Sequence, residues 1–198
     1  GASRAVKFGE DAPYRLRAAE DRQAKAGLAE TAAALISDYD SLIIDNGTTC
    51  EAVAAELAGR PVTALCLSLH AASAIAAVPG ARVLVPGGPV QPDTLAMYGS
   101  QAVDAVRRVT VDILLLGTCA VSATGGLTSA DFEDAQLKRA SIEAATRRVL
   151  IATASKLSQA SNFQFGAISD LTHLITTNDA NQDMVAAIRA EGVQVTLV

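Results

Sequence analysis

The sequence predicts an α/β domain, a mostly parallel sheet covered by helices, on three observations. Apolar runs of strand length alternate with stretches of helical length through most of the chain. With 198 residues, 50% hydrophobic and 19% charged, the chain is long and apolar enough to bury roughly 70% of its unfolded surface in a substantial core. The final segment alternates Val193, Val195 and Leu197 with Gln194 and Thr196, which suits a half-exposed edge strand.

Each element follows in order. Residues 1–14 mix charge, Gly9 and Pro13 with no apolar period, and read as a linker or arm entering from an upstream segment. The opening Gly1-Ala2-Ser3 carries neither a methionine nor a secretory signal, so the chain reads as a fragment, with one domain over 15–198. Residues 15–36 are rich in Ala, Glu, Arg and Lys and place Leu28, Ala32, Leu35 and Ile36 on one face, predicting a long amphipathic helix. Strands are expected at 42–45, 62–67 and 83–85, with helices at 49–58 and 69–77 between them. The pattern resumes with a helix at 100–108, a strand at 111–116, a helix at 131–146, strands at 148–152 and 173–176, and a helix at 180–190.

Charge and residue counts exclude several function classes. Sixteen Lys and Arg against 21 Asp and Glu give a net charge of −5, the wrong sign for a segment that grips duplex DNA by its phosphates. Three cysteines without a CxxC pair and two histidines assemble no zinc framework or disulfide scaffold, which fits a reducing, cytoplasmic setting. His70 and His173 are expected in structural roles. No apolar run approaches the ~20 residues of a bilayer span, and neither a metal nor a cofactor is expected.

In an open α/β sheet, ligands bind beyond the carboxyl ends of the strands. The residues there are Asp45-Asn46-Gly47-Thr48-Thr49, Ser68, Gly87-Gly88, Gly117-Thr118-Cys119 and Thr153 to Lys156. The first stretch is the most informative: Gly47 permits a tight turn, and Thr48 and Thr49 open a helix whose free N–H groups favour an anion. Alternatively, Thr48 caps that helix and Glu51 completes a capping box. Lys156 stands where a lysine reaches a phosphate or is simply solvated. The Gly-rich stretch 124–128 precedes the helix bearing Lys138 and Arg139 and is read as a loop able to fold over a ligand. Cys119 has no identifiable base and is not expected to act as a nucleophile.

Taken in order, Leu42 to Thr49, Leu67-Ser68-Leu69, Pro86-Gly87-Gly88, Asp112 to Gly117, Gly125-Gly126-Leu127-Thr128, Lys138-Arg139-Ala140 and Ser155-Lys156 resemble the effector-binding domain of DeoR-family transcriptional regulators, over about residues 20–180. The resemblance implies a Rossmann-like fold similar to ribose-5-phosphate isomerase and a phosphorylated sugar or sugar-like effector. It also implies a winged helix-turn-helix ahead of this domain through which alone DNA is bound, and a homo-oligomer. By position it places the effector's phosphate on Asn46 to Thr49, with Lys156 assisting and Lys138 and Gly126 in the lid region. Asp45, Ser68, Leu69, Gly87, Gly88, Gly117, Thr118 and Cys119 complete the implied binding set.

The sequence departs from the family pattern in three places. Cys66-Leu67-Ser68-Leu69 stands for Thr-Asn-Ser-Leu, Thr118-Cys119-Ala120 for Ala-Asp-Gly, and Thr153 takes the place of an Asp ahead of Ala154-Ser155-Lys156, removing two carboxylates from the usual pocket. The expectation is therefore a ligand-sensing domain of a repressor of carbohydrate metabolism. The alternative, an aldose-ketose phosphate isomerase on the same fold, needs a proton-moving carboxylate. Asp45, Asp131 and Glu133 are the remaining candidates, with Asp45 alone directly at a strand end.

Overall fold

The computed structural model describes residues 13–118, 120–157 and 159–198. Residues 1–12 of the expected arm, and Cys119, lie outside them. The chain runs α1 (Tyr14–Ala19), α2 (Arg22–Ala33), β1 (Ser41–Ile44), α3 (Thr48–Glu56), β2 (Thr63–Cys66), α4 (Leu69–Ile75), β3 (Arg82–Leu84), α5 (Gly99–Arg107) and β4 (Val111–Leu116). It continues through β5 (Ala120–Ser122), β6 (Gly126–Ser129), α6 (Phe132–Ala144), β7 (Ala145–Ile151), β8 (Phe163–Gly166), β9 (His173–Thr176), α7 (Gln182–Ala190) and β10 (Gln194–Leu197).

Seven strands form one parallel sheet in the order β10-β9-β7-β4-β1-β2-β3. Its central strands are buried on both faces, and their side-chain alternation divides the core in two. Leu42 and Ile44 of β1 join Leu28, Val53 and Ile75 of α2 to α4 on one face. Ile43 joins Val106, Leu137 and Ile188 of α5 to α7 on the other. Each such fully buried Leu or Ile contributes about 1.5–3 kcal/mol through the water it excludes.

The order of the strands fixes the position of the site. From β1 the chain steps outward to β2 and β3, then returns through α5 to β4 on the opposite side of β1 and steps outward again to β7, β9 and β10. The loops leaving β1 and β4 therefore diverge, and a crevice opens between them at the carboxyl ends of the two strands.

Three expectations need correction. The single helix expected over 15–36 is two helices, broken at Glu20–Asp21, where Asp21 adopts a left-handed backbone (φ +50°). The break lets α1 turn so that Tyr14 meets Glu51 of α3 and His70 of α4. The strand expected from residue 148 begins at Ala145, directly where α6 ends.

The glycine-rich stretch 124–128 is not an open loop. Residues 126–129 form β6, the centre of a second, antiparallel sheet β5-β6-β8, and all four are buried. Gly126 holds φ at +67°, and a Cβ there would come within 2.5 Å of the Gly166 carbonyl oxygen of β8, so only glycine fits. The edge strand β10 lies at the rim of the large sheet; Val193 just before it is buried and Gln194 exposed, whereas Val195, Thr196 and Leu197 are all half-buried, so the expected alternation holds only at its start.

Candidate functional site

The crevice holds a cleft of ≈ 610 Å³. Its floor is a buried ionic cluster. Lys138 of α6 projects toward the end of β1 and donates from Nζ to Asp45 Oδ2 at 2.7 Å and to Asp134 Oδ1 at 2.9 Å. Exposure of the three residues is 2%, 0% and 4%, so neither carboxylate has water to fall back on. Asp45 Oδ2 also accepts from the Gly117 N–H at 2.9 Å, tying the end of β4 to the end of β1. Asp134 accepts from Ser129 Oγ of β6 at 2.6 Å and from Asn46 Nδ2 at 2.8 Å. One ammonium and two carboxylates thereby join both sheets and α6.

The shared cation sets the acid strengths. Burial pushes the Asp45 carboxyl above its ordinary 3.8, since Lys138 only partly offsets it and Asp134 adds a like charge. Burial acts on Asp134 too, but there Lys138 and the bonds from Ser129 and Asn46 outweigh it and the carboxyl is held below 3.8. Burial opposes the Lys138 charge, yet Asp134 and Asp45 raise its pKa well above the ordinary 10.5.

One wall is the N-terminus of α3. Gly47 is its cap residue at φ +111°, a backbone region that disfavours side chains, and no side chain caps the helix. The expected capping box is therefore not formed: Thr48 is inside the helix, and Glu51 instead accepts from the Tyr14 hydroxyl. The first-turn N–H groups of this nine-residue helix, from Thr48 to Cys50, line the cleft with the positive end of the helix dipole behind them. Lys156, in the turn after β7, faces the same space, as do Arg17 and Lys25 from α1 and α2.

Of the expected set, Asn46, Gly47, Thr48, Thr49, Gly117, Thr118, Lys138 and Lys156 line the cleft, and Asp45 lies directly beneath it. Lys138 belongs to the buried floor, not to a lid. Ser68, Leu69, Gly87, Gly88 and Gly126 do not line the cleft. Ser68 is buried and caps α4, its Oγ accepting from the Ala71 N–H at 3.2 Å. Leu69 opens that helix, and Gly87 and Gly88 follow β3.

His70 and His173 do structural work. The first stacks on Tyr14, and the second bonds through Nε2 to Thr196 Oγ1 at 2.8 Å, with burial lowering its pKa. Sequence reasoning missed Asp134, Ser129, Lys25 and Arg17. The spacing of Asp134 and Lys138, four residues apart on one helix, was the available signal for the first.

The arrangement suits binding better than proton transfer. A carboxylate that shuttles a proton must reach the substrate; Asp45 is fully buried under Lys138 and Gly117, while Asp131, which lines the cleft, is engaged as the cap of α6, accepting from the Asp134 N–H at 2.9 Å. Glu133 is exposed on α6 and does not line the cleft. Burial pushes the Cys50 thiol far up, which leaves it a poor nucleophile. Among the described residues no group of three His, Cys, Asp or Glu side chains converges to hold a metal, and no helix is long and apolar enough to cross a membrane.

Comparison with known proteins identifies the family. A family model described as the DeoR C terminal sensor domain matches residues 20–178. The chain is 29% identical over 180 residues to the HTH-type transcriptional repressor GlcR of Bacillus subtilis (strain 168), covering 91% of this chain and 69% of the relative. It is 32% identical over 153 residues to the glycerol-3-phosphate regulon repressor of Haemophilus influenzae, covering 77% of this chain and 60% of that protein. The chain thus spans between 60% and 69% of the length of these two relatives. Among solved structures, ribose 5-phosphate isomerase A from Methanocaldococcus jannaschii aligns with TM-score 0.49 and 18% identity over 70% of this chain and 55% of that one.

Two outcomes follow from the buried cluster. Replacing Lys138 by Met leaves two buried carboxylates without their cation and is expected to cost about 3–5 kcal/mol in urea denaturation; a loss under 1 kcal/mol would contradict the assignment. The carboxyls titrate as a unit in which Asp45 takes the first proton. Between its raised folded pKa and the unfolded 3.8, Asp45 gains stability on acidification, whereas Asp134 loses its contribution as pH falls from 3.8 through its lowered value. Carboxyl-carbon NMR should find the Asp45 midpoint above 3.8 and the Asp134 midpoint below it, and the reverse order would refute the reading.

Proposed function

The chain belongs to the DeoR C-terminal sensor-domain family, and from that premise we propose that its cleft binds a phosphorylated sugar or a related phosphorylated polyol and so controls DNA binding by a helix-turn-helix domain elsewhere in the full-length protein. The observation that carries the reading is the uncapped N-terminus of α3, Gly47 to Thr49, facing the same space as Lys156 and Lys25 at the point where the strand order reverses. A phosphate dianion fits there because it accepts from several first-turn N–H groups and neutralises cations that otherwise repel one another.

The rest of the cleft favours hydroxyls. Asn46, Asp131 and Thr118 line it and supply acceptors and an amide, so a polyol is oriented with its phosphate at the N-terminus of α3 and its hydroxyls toward these side chains. The names of two relatives, an HTH-type transcriptional repressor and a glycerol-3-phosphate regulon repressor, support a regulator, and the second supports a response to a small phosphorylated metabolite. The regulatory step is a population shift: ligand favours one arrangement of the sensor, and that arrangement changes how paired DNA-binding domains meet their half-sites. A self-associating, cytoplasmic protein is part of the same proposal, with residues 1–14 as the link to the DNA-binding domain.

A panel of phosphorylated sugars and polyols, each beside its unphosphorylated form, tests the site. At 100 times its Kd a true effector adds about 2.7 kcal/mol, raising Tm by about 5–10 °C, while the unphosphorylated forms leave Tm unchanged. Thr48→Glu, which places a carboxylate at the helix N-terminus, should weaken the best phosphorylated ligand by at least about tenfold in calorimetry while the protein stays folded. Equal affinity in the folded variant, or equal stabilisation by the unphosphorylated forms, would move the site elsewhere.

A further inference from the structure

The wall of the cleft that carries Arg17, Glu20, Asp21 and Lys25 is built by a segment anchored at both ends. Tyr14, the first residue of α1, is buried. Its N–H donates to Asp93 Oδ2 at 2.9 Å, and its hydroxyl donates to Glu51 in the first turn of α3. Its ring lies flat on His70 of α4, with centroids 4.2 Å apart and planes within 2°. Asp93 itself lines the cleft, and α3 supplies the helix N-terminus proposed to hold phosphate. A six-residue helix has little stability of its own, so these contacts are what hold α1 in place.

The other end of α1 is held by Lys25 of α2. Its ammonium donates to the Arg17 carbonyl and, at 2.8 Å, to the Glu20 carbonyl, satisfying acceptors that the end of α1 leaves open. Lys25 lines the cleft, as does Lys156. Burial, with the charges of Arg17 and Lys156 adding to it against Asp21 and Glu20, holds the Lys25 pKa below the ordinary 10.5. Lys25 thus feels repulsion from Lys156 while its ammonium is bonded to the carbonyls of α1. A dianion placed between Lys25 and Lys156 converts that repulsion into attraction.

We propose that α1 is the ligand-sensitive wall of the cleft: Lys25 contacts the bound phosphate and, through its bonds to the α1 carbonyls, draws the strap Tyr14–Ala19 more firmly onto α3 and α4. Occupancy of the cleft is then reported at Pro13, on the side of the domain from which the chain runs toward its N-terminus. The inference rests on the phosphate reading above and adds to it the residue that reads the anion and the element that moves.

Hydrogen exchange and calorimetry with inorganic phosphate test it on the wild-type chain, Lys25→Met and Tyr14→Phe. Phosphate should slow exchange at the amides of Leu16, Arg17 and Glu20, which bond to the carbonyls of Pro13 and Leu16, by at least about tenfold. Lys25→Met should weaken phosphate by about tenfold and abolish that slowing. Tyr14→Phe, which keeps the ring on His70 but loses the bond to Glu51, should exchange faster over α1 while still binding phosphate.

If wild type binds phosphate but its α1 amides exchange at an unchanged rate, or if Lys25→Met binds equally well, the strap proposal is wrong and the phosphate site stands. If wild type does not bind phosphate at all, the phosphate reading fails and the strap proposal falls with it.

Discussion

The Lys138 ammonium, buried between Asp45 and Asp134, is the interaction on which the site depends. Buried ions are costly, and such a cluster survives only where each partner is satisfied by geometry. Here the satisfaction comes from five separate places: the end of β1, the N–H of Gly117 after β4, Ser129 at the end of β6, Asn46, and α6 itself. Moving any of them leaves a charge unpaired away from water. The cluster therefore fixes the mouth of the crevice between β1 and β4, and with it the direction in which α3 begins.

That direction decides the chemistry of the cleft. The floor carries one cation and two carboxylates, while the wall opposite offers an uncapped helix end, Lys25 and Lys156. The acidic balance of the whole chain, −5, does not conflict with anion binding, because the donors are local and the helix dipole acts over about one turn. Lys138, for all its charge, is committed to the floor, and the other cations that line the cleft are Arg17, Lys25 and Lys156. The α2 lysine also bonds to the carbonyls of Arg17 and Glu20 at the end of α1.

Much of the scaffold was legible in the sequence because it follows from continuous apolar runs. The strands at 111–116 and 173–176 coincide with β4 and β9, since a run buried on both faces has no other place to go. The antiparallel sheet was not legible: β5, β6 and β8 are three or four residues each and rich in Gly, Ser and Thr, and only their mutual pairing makes them strands. The break at Glu20–Asp21 was masked by the Ala-, Arg- and Lys-rich residues on either side, although Asp21, a favoured helix cap, was a local signal for it, and the contact of Tyr14 with His70 lies between positions far apart in sequence. Asp134 was obscured by Asp131 and Glu133 beside it. Three acids in one helical turn look alike until burial selects the one that faces Lys138.

The central claim, a phosphate held at the N-terminus of α3, is tested most directly by amide NMR. The labelled chain is titrated with glycerol 3-phosphate and, separately, with glycerol. A phosphate seated on the helix end should shift the amides of Gly47, Thr48 and Thr49 most, with smaller shifts at Ser155 and Lys156, and glycerol alone should leave them in place. Shifts concentrated instead in the shallow groove lined by Arg147 and His173, at the opposite ends of the strands, would contradict it.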